Sequence, residues 1–269
     1  MNETKPILTL AFSSMGERVF TLLEYLSTIK LGDKTEVIIV VQKAPSTLQD
    51  LYYSADSVPV KVLKTKTTGL SKSRNEAINH CKGRFTWFLD DDIQFDDHHI
   101  NRIIQLVSKG NNDFYRLQIG CLEDHTKTFK VYKNVQTPSK LNMLQVSSIE
   151  IIAKTKFIQD NHLRFNENIG LGTQYPANEE NNFLIDAWEN GAKFEFVDEV
   201  LIRHTCLFEG RLLSSKGIFE IRGATASRLG ALALPLLVFW SVKYILKREQ
   251  PSMILSMVKG FFSGYKKYC

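Results

Sequence analysis

Residues 69–92 read GLSKSRNEAINHCKGRFTWFLDDD, and this stretch decides the fold class of the 269-residue chain. Gly69 marks a turn, and the residues after it have the apolar spacing of an amphipathic helix. A second apolar run follows a short spacer and ends in Asp90, Asp91 and Asp92. The segment therefore predicts a helix and then a buried strand whose end carries three adjacent carboxylates.

The N-terminal half of the chain repeats this alternation of strand and helix patterns. The predicted strands are residues 7–12, 36–41, 58–63 and 84–89, and the predicted helices are residues 18–30 and 71–81. Such an alternation is typical of a mostly parallel sheet with right-handed crossovers. Because open sheets of this class bind ligands at the carboxyl ends of their strands, the three aspartates should face a ligand.

After Asp92 the pattern is less regular. It predicts helices over 97–107, 156–162 and 179–190, short strands within 115–131 and over 146–153, 194–197 and 200–202, and a loop over 166–176. A long helix over 224–246, with a kink at Pro235, completes the prediction. We expect an α/β domain over residues 1–215 and a C-terminal helical extension over residues 216–269.

The composition, 43% hydrophobic and 23% charged, is that of a globular protein, and the net charge of +5 is concentrated near the C-terminus. The apolar run 229–242 is shorter than the roughly 18 residues of a spanning helix. With its basic neighbours it favours either an amphipathic anchor on an anionic membrane or a helix that packs on the domain. The basic residues that follow the run are Lys243, Lys247 and Arg248, and Lys259, Lys266 and Lys267 lie farther along among aromatic residues.

The four cysteines are widely spaced and form neither a Cys-x-x-Cys pair nor a zinc-binding spacing. This pattern predicts reduced thiols in a cytosolic protein. The N-terminus is polar, and the apolar run after it is too short for a signal peptide. We therefore expect a cytoplasmic protein, with peripheral contact to the inner face of the cell membrane and no nucleic-acid partner.

Three adjacent carboxylates repel one another unless a cation lies among them. A hard divalent ion, Mg²⁺ or Mn²⁺, prefers oxygen ligands and often bridges protein carboxylates to phosphate. The alternative is a solvated acidic turn after the strand.

Together, residues 69–75 and the acidic strand end resemble the nucleotide-sugar half of family 2 glycosyltransferases with a GT-A fold. In that family a Gly-x-x-x-x-Arg-Asn segment precedes a helix, and a strand then delivers an Asp-x-Asp-type cluster. Residues 178–183 are similar to the family's Gly-Glu-Asp-x-x-Phe segment, and residues 200–204 to its late strand that ends in histidine. The resemblance covers about residues 6–204.

This resemblance implies a GT-A-like, Rossmann-like α/β fold and an inverting, metal-dependent sugar transfer. The donor would be a nucleoside diphosphate sugar, most often UDP-linked, and the acceptor a hydroxyl of a glycan or lipid-linked oligosaccharide in surface polysaccharide synthesis. Glu180 would be the general base, and Asp90, Asp92 and His204 would hold Mn²⁺ or Mg²⁺. The donor-binding residues it implies are Ser13, Gln42, Gly69, Lys72, Arg74, Asn75, Asp90 and Asp91.

Two departures from the family pattern leave alternatives open. Gln42 stands where the family usually has a base-binding Asp, so the identity of the nucleobase is open. Glu180 stands where the family often has Asp, and Glu179 and Glu180 are also ordinary first-turn acids of a helix. The alternatives are a nucleotidyltransferase acting on sugar phosphates and a catalytically inactive GT-A-like binding module.

Overall fold

The computed structural model describes residues 5–207 and 215–269, and its centre is a mixed β-sheet. The strands are β1 (Leu8–Met15), β2 (Thr35–Gln42), β3 (Leu51–Tyr53), β4 (Pro59–Thr65), β5 (Phe85–Asp90), β6 (Ile93–Gln94), β7 (Phe114–Cys121), β8 (Ile151–Lys154) and β9 (Phe194–His204). The helices are α1 (Arg18–Ser27), α2 (Leu70–His80), α3 (Asp97–Lys109), α4 (Thr155–Asp160), α5 (Glu179–Glu189), α6 (Lys216–Ala226), α7 (Ala233–Leu246) and α8 (Pro251–Ser263).

Within the described ranges the strands form one sheet in the order β3-β4-β2-β1-β5-β8-β7-β9-β6. The pairs β1/β2, β1/β5, β2/β4 and β7/β9 are parallel, while β8 runs antiparallel to both of its neighbours. The short strands β3 and β6 are antiparallel to their partners. The predicted α/β class with a mostly parallel sheet is confirmed.

Alternate residues of the central strands enter two separate cores, one on each face of the sheet. In β5, Trp87 packs on one face with α1 and α3, whereas Phe88 packs on the other face with α2, α4 and α5. A strand that is covered on both faces needs apolar residues at every position, which explains the continuous apolar runs of β2 and β5.

The order of the strands places a crevice at the carboxyl end of β1. The chain leaves β1 toward β2 on one side and later returns to β5 on the other side, which makes this the switch point of the sheet. The register aligns Ser13 of β1 with Asp90 of β5. The polar ends of both strands therefore lie side by side.

Several predicted boundaries differ from the structure. The two short late strands are one strand, β9, with irregular register against β7. The predicted strand 146–153 begins as a 3₁₀ turn, because Glu150 forms a capping box with Ser147. The C-terminal helix is interrupted at Gly230, whose φ of 58° lies outside the helical region, and not at the predicted Pro235. Helix α8 was not predicted.

The C-terminal extension is attached to the α/β domain through α6. Asn182 in α5 donates a hydrogen bond of 2.9 Å from Nδ2 to Thr225 Oγ1 in α6. Arg228 adds ion pairs of 2.5 and 2.6 Å with Asp186 and Glu189. Thus α6 packs on the domain, and the division at residues 215 and 216 stays a prediction.

By contrast, α7 is mostly uncovered, since only Ala233 and Leu237 are buried among its residues. The helical run Lys216–Leu246 has 31 residues, and its most apolar 18-residue window has a mean hydropathy of 1.8 and is 17% buried. By its length and composition this run could cross a membrane. The shorter apolar run 229–242 had led us to expect that no segment here is long enough to do so. A single such run is weak support for a membrane span.

The expectation of reduced cysteines is wrong for one pair. Cys121 at the end of β7 and Cys206 just after β9 form a disulfide, with Cα atoms 5.3 Å apart. They are 85 residues apart in the sequence, and the parallel pairing of β7 with β9 brings them together. Cys81 and Cys269 are free.

Candidate active site

The acidic end of β5 lies against the start of α1. Ser14 Oγ donates a 2.6 Å hydrogen bond to Asp91 Oδ2, and the Arg18 guanidinium pairs with both Asp91 and Asp92. Burial raises the pKa of Asp91 despite these partners. Arg18 was not among the predicted site residues. Its position three residues after the end of β1 could have indicated that it lies at the site.

Asp92 meets the late histidine, as the sequence order suggested. His204 Nε2 lies 3.2 Å from Asp92 Oδ1, and His204 Nδ1 lies 2.8 Å from the carbonyl oxygen of Thr205. The hydrogen bond from the imidazole lowers the pKa of Asp92, and the same contact raises the pKa of His204. Because the Thr205 carbonyl oxygen accepts from Nδ1, Nε2 faces Asp92 and can bind a metal ion once it has lost the proton that it donates there.

Arg74 connects the acidic strand end to helix α5. Its guanidinium is 1% exposed and donates to Asp90 Oδ1 at 3.1 Å, to Ser148 Oγ at 2.7 Å and to Glu179 Oε1 at 3.0 Å. The pKa of Arg74 is raised by its acidic neighbours against the effect of burial. One buried cation thereby holds carboxylates from β5 and α5 at the same place.

Glu180 follows the anchored Glu179 and has a different environment. Its Oε2 atom is buried without a hydrogen-bond partner among the described residues. Burial and the neighbouring Glu179 raise the pKa of Glu180 well above its usual range. A carboxylate with a raised pKa and a free oxygen is suited to accept a proton.

Asn75 and Leu70 of α2 hold the loop over residues 166–176 and the residue before it, since the Leu70 N–H donates to the Leu171 carbonyl oxygen at 3.1 Å. Asn75 Nδ2 donates to the Phe165 carbonyl oxygen at 2.8 Å, and the Phe165 N–H donates back to Asn75 Oδ1 at 2.8 Å. The N–H of Gly69 donates to Gln42 Oε1 at 2.7 Å. Gly170 must lack a side chain, because a Cβ there would lie 2.9 Å from Ser71 Oγ.

The predicted donor-binding residues differ in burial and in how far they are bonded within the protein. Arg74, Asn75 and Gln42 are buried and bonded within the protein, so they position the edge rather than present open donors. Ser13 Oγ at the end of β1 is buried without a partner among the described residues. Lys72 lies on the outer side of Gly69, in a pocket toward the C-terminal turn. The part of each in donor binding stays a prediction.

The residues fit a divalent ion only in part. The described residues contain no group of three or more histidine, cysteine or acidic side chains gathered for a metal. Asp92 and His204 meet, whereas Asp90 is directed to Arg74. A Mg²⁺ or Mn²⁺ site commonly has one or two protein ligands and takes the others from phosphate and water. The pair suits such a site, and Asp90 as a third ligand stays a prediction.

Comparison with solved structures gives the same fold. Staphylococcus aureus TarS 1–349 in complex with UDP-GlcNAc superimposes with a TM-score of 0.65 and 13% identity, over 94% of this chain and 79% of that one. The complex of TarS 1–349 with UDP gives 0.61 and 16%, over 82% and 64%. A mannosyltransferase of Pyrobaculum calidifontis in complex with GDP-Man and Mn²⁺ gives 0.55 and 12%, over 98% and 82%.

These likenesses show a GT-A fold with C-terminal helices, as the sequence led us to expect. The chain spans 43% of the longer TarS chain, at a TM-score of 0.61. No curated protein matches the sequence.

A model of the family described as "Glycosyl transferase family 2" matches residues 17–172, which is more than half of the chain. The match includes the segment around Arg74 and the acidic strand end and stops before Glu180. The resemblance read from the sequence is confirmed: this chain belongs to glycosyl transferase family 2.

Proposed function

We propose that this protein transfers a sugar, with inversion, from a UDP-linked donor to a hydroxyl of a glycan or lipid-linked oligosaccharide in surface polysaccharide synthesis. The observation that carries the proposal is the Arg74 link, which holds Asp90 of the acidic strand end and the Glu179–Glu180 pair at one edge. The similar structures with UDP and UDP-GlcNAc support a UDP donor, while the one with GDP-Man leaves GDP as the alternative.

Glu180 would act as the general base. As the acceptor oxygen bonds to the anomeric carbon, its proton passes to the Glu180 carboxylate, and the bond from that carbon to the donor diphosphate breaks. The diphosphate leaves with the electron pair. A single displacement inverts the anomeric centre, and general-base help contributes about 10²–10⁴-fold in such reactions.

Asp92 and His204 would hold the divalent ion beside the donor diphosphate. When bound, a Mn²⁺ or Mg²⁺ ion supplies positive charge to the leaving diphosphate oxygen. The electrostatics of the edge support a cation, because burial raises the pKa of both Asp90 and Asp91 and their mutual neighbour Asp92 adds to it. Arg18 and Arg74 neutralise only part of this charge.

Nucleotide binding tests the proposal on the full chain. We expect UDP to raise the melting temperature more than GDP or ADP, and only with Mn²⁺ or Mg²⁺ present. A ligand at a hundredfold excess over its Kd stabilises by about 2.7 kcal/mol. Slow hydrolysis of a UDP-sugar would then separate an enzyme from a binding module. Stabilisation by no nucleoside diphosphate would overturn the proposal.

We also infer that α7 lies on an anionic membrane surface. Its exposed side chains are almost all apolar, and they include Leu234, Val238, Phe239, Val242, Ile245 and Leu246. Lys243 lies in the last turn of α7 and Lys247 directly follows the helix, and lysines near a membrane attract anionic lipids at about 1 kcal/mol each. An apolar helix covered along one narrow edge, with a cationic end, suits the interface between lipid and water.

The cytoplasmic face of the membrane is the proposed location, because that leaflet carries the anionic lipids. The Cys121–Cys206 disulfide is the observation against this location, because a reducing cytosol disfavours disulfides. Counting free thiols in protein trapped with an alkylating agent in intact cells tests this placement. Four modified cysteines agree with it, whereas a protected pair argues for an oxidising compartment.

A further inference from the structure

A cavity of about 390 Å³ lies beside the donor edge. It is bounded by Thr68 and Lys72 at the start of α2, by the loop over residues 166–176, and by the last residues of the chain, including Lys267 and Tyr268. Asp90, Asp91 and Asp92 do not line it. The cavity is therefore separate from the acidic strand end.

The C-terminal wall of this cavity is fixed by hydrogen bonds. Asn166 Nδ2 donates to the Tyr268 carbonyl oxygen at 2.9 Å, and the Tyr268 hydroxyl donates to Glu220 Oε1 at 3.0 Å. The ring of Tyr268 packs edge to face on Tyr175, with centroids 4.8 Å apart. Tyr268 is 3% exposed, so the chain end is part of the domain surface and not a free tail.

The lining of the cavity is mostly polar and carries two lysines. Within the described ranges neither Lys72 nor Lys267 forms an ion pair, and Lys267 Nζ lies 5.9 Å from the centre of the Tyr268 ring. The one acidic residue of the lining, Glu167, already accepts a 3.0 Å hydrogen bond from Asn75. Two unpaired ammonium groups among amide and hydroxyl groups favour an anionic, hydroxyl-rich ligand.

The loop between the cavity and the edge connects the two physically. A Cβ on Gly172 would lie 3.3 Å from the Cα of Gly69, and a Cβ on Gly170 would lie 3.2 Å from Cδ of Glu179. The loop then runs directly into α5, which carries Glu180. A molecule seated in the cavity thus lies along the segment that leads to the proposed base.

We propose that this cavity is an acceptor subsite that binds a negatively charged sugar unit, bearing phosphate or carboxylate, through Lys72 and Lys267, which moves Lys72 from the donor-binding residues implied by the resemblance to the acceptor side. The inference rests on the proposed function and adds the chemical class of the acceptor. The C-terminal turn, Tyr265–Tyr268, is on this account part of the substrate-binding surface.

The test measures binding of glucose 6-phosphate, glucuronate and glucose by calorimetry on the full chain, with saturating UDP and Mn²⁺ to occupy the donor site. We expect one of the anionic sugars to bind at least about tenfold more tightly than glucose, and salt to weaken it. The phosphate and carboxylate arms identify which anion is preferred. Equal binding of glucose, or binding of none of the three, would overturn the proposal.

The matched variants are Lys267→Gln and Lys266→Gln, two neighbouring exposed lysines of which only Lys267 lines the cavity. We expect Lys267→Gln to weaken the anionic sugar at least fivefold, Lys267→Arg to restore most of the affinity, and Lys266→Gln to match the parent. Equal effects of the two glutamine variants would show a diffuse charge effect and refute the subsite.

Binding of UDP in the same samples separates the two proposals. Normal UDP binding with no preference for an anionic sugar refutes the subsite alone. Failure to bind any nucleoside diphosphate refutes the proposed function itself.

Discussion

At the carboxyl edge of the sheet, charged side chains are buried, whereas on α7 apolar side chains are exposed. Arg74 is 1% and Glu179 7% exposed, while Phe239 is 59% and Leu246 78% exposed. Burying a charge is costly unless it is paired, and exposing a large apolar surface is costly unless something covers it. Polar residues are usually exposed and apolar residues buried, and both regions are exceptions. The edge is the proposed contact with substrate, and α7 is the proposed contact with the membrane.

The two regions differ in what compensates the unfavourable free energy of buried charge or of exposed apolar surface. At the edge the buried charge of Arg74 is paired internally, since its guanidinium bonds to three partners from β5, α5 and the 3₁₀ turn before β8. The α7 surface has no such internal partner in the described part of the chain and needs an external one. We therefore expect changes at the edge to act on catalysis and folding, and changes on α7 to act on location.

The largest expected effect is that of Glu180→Gln. The rate should fall by at least about a hundredfold with donor affinity nearly unchanged, because an amide of the same size cannot take the proton. Transfer rates at saturating donor and acceptor, with UDP affinity by calorimetry, provide the measurement. A near-normal rate would place the base elsewhere.

Glu179→Gln is the matched control for Glu180→Gln, and the pH dependence of its rate is a second test of the general base. Glu179 raises the pKa of Glu180, so its removal should lower that pKa. A general base works when deprotonated, so the acid limb of the rate profile should move to lower pH. If Glu179→Gln were the inactive variant and Glu180→Gln the active one, the base would be Glu179.

Next in size is Arg74→Met, which leaves the Asp90 and Glu179 carboxylates without their shared cation. Removal of one partner from a buried ion pair costs about 3–5 kcal/mol. Urea unfolding of this variant beside Arg84→Met, which changes an exposed arginine just before β5, measures the difference. Similar stability of the two variants would show that the Arg74 network does not hold the edge together.

A smaller effect is expected from Cys121→Ser. Loss of a disulfide typically lowers stability by about 2–4 kcal/mol, since the cross-link restricts the unfolded chain. Thermal unfolding in the absence of reductant should show this loss for Cys121→Ser and not for Cys269→Ser, which changes an exposed free thiol. Equal melting temperatures would contradict a contribution from the Cys121–Cys206 bond.

The smallest effect is that of Phe239→Glu on membrane binding. We expect partitioning to vesicles with anionic lipid to fall about tenfold, because a charge replaces apolar area and opposes the surface potential. Gln105→Glu on α3 introduces the same charge at an exposed position away from α7. If both variants sediment with vesicles like the parent protein, α7 is not the membrane contact.

The sequence alone was sufficient for the α/β class, four of the first five strands and the acidic end of β5, whereas the short strand β3 was not predicted. These follow from continuous apolar runs, helical spacing and turn residues, which are local properties of the chain. The order of the motifs also led to the family, because Gly69, Arg74 and the aspartates are close in sequence. The pairing of Asp92 with His204 was anticipated only through the resemblance.

Tertiary structure decided what depends on contacts between distant residues. Arg74 proved to be a buried link to Glu179, 105 residues away, and Cys121 and Cys206 meet only because β7 and β9 are parallel neighbours. In the same way, Asn166 and Glu220 turn the chain end into a cavity wall. Local patterns carry no information on which distant side chains become neighbours, since packing of the whole chain sets those contacts.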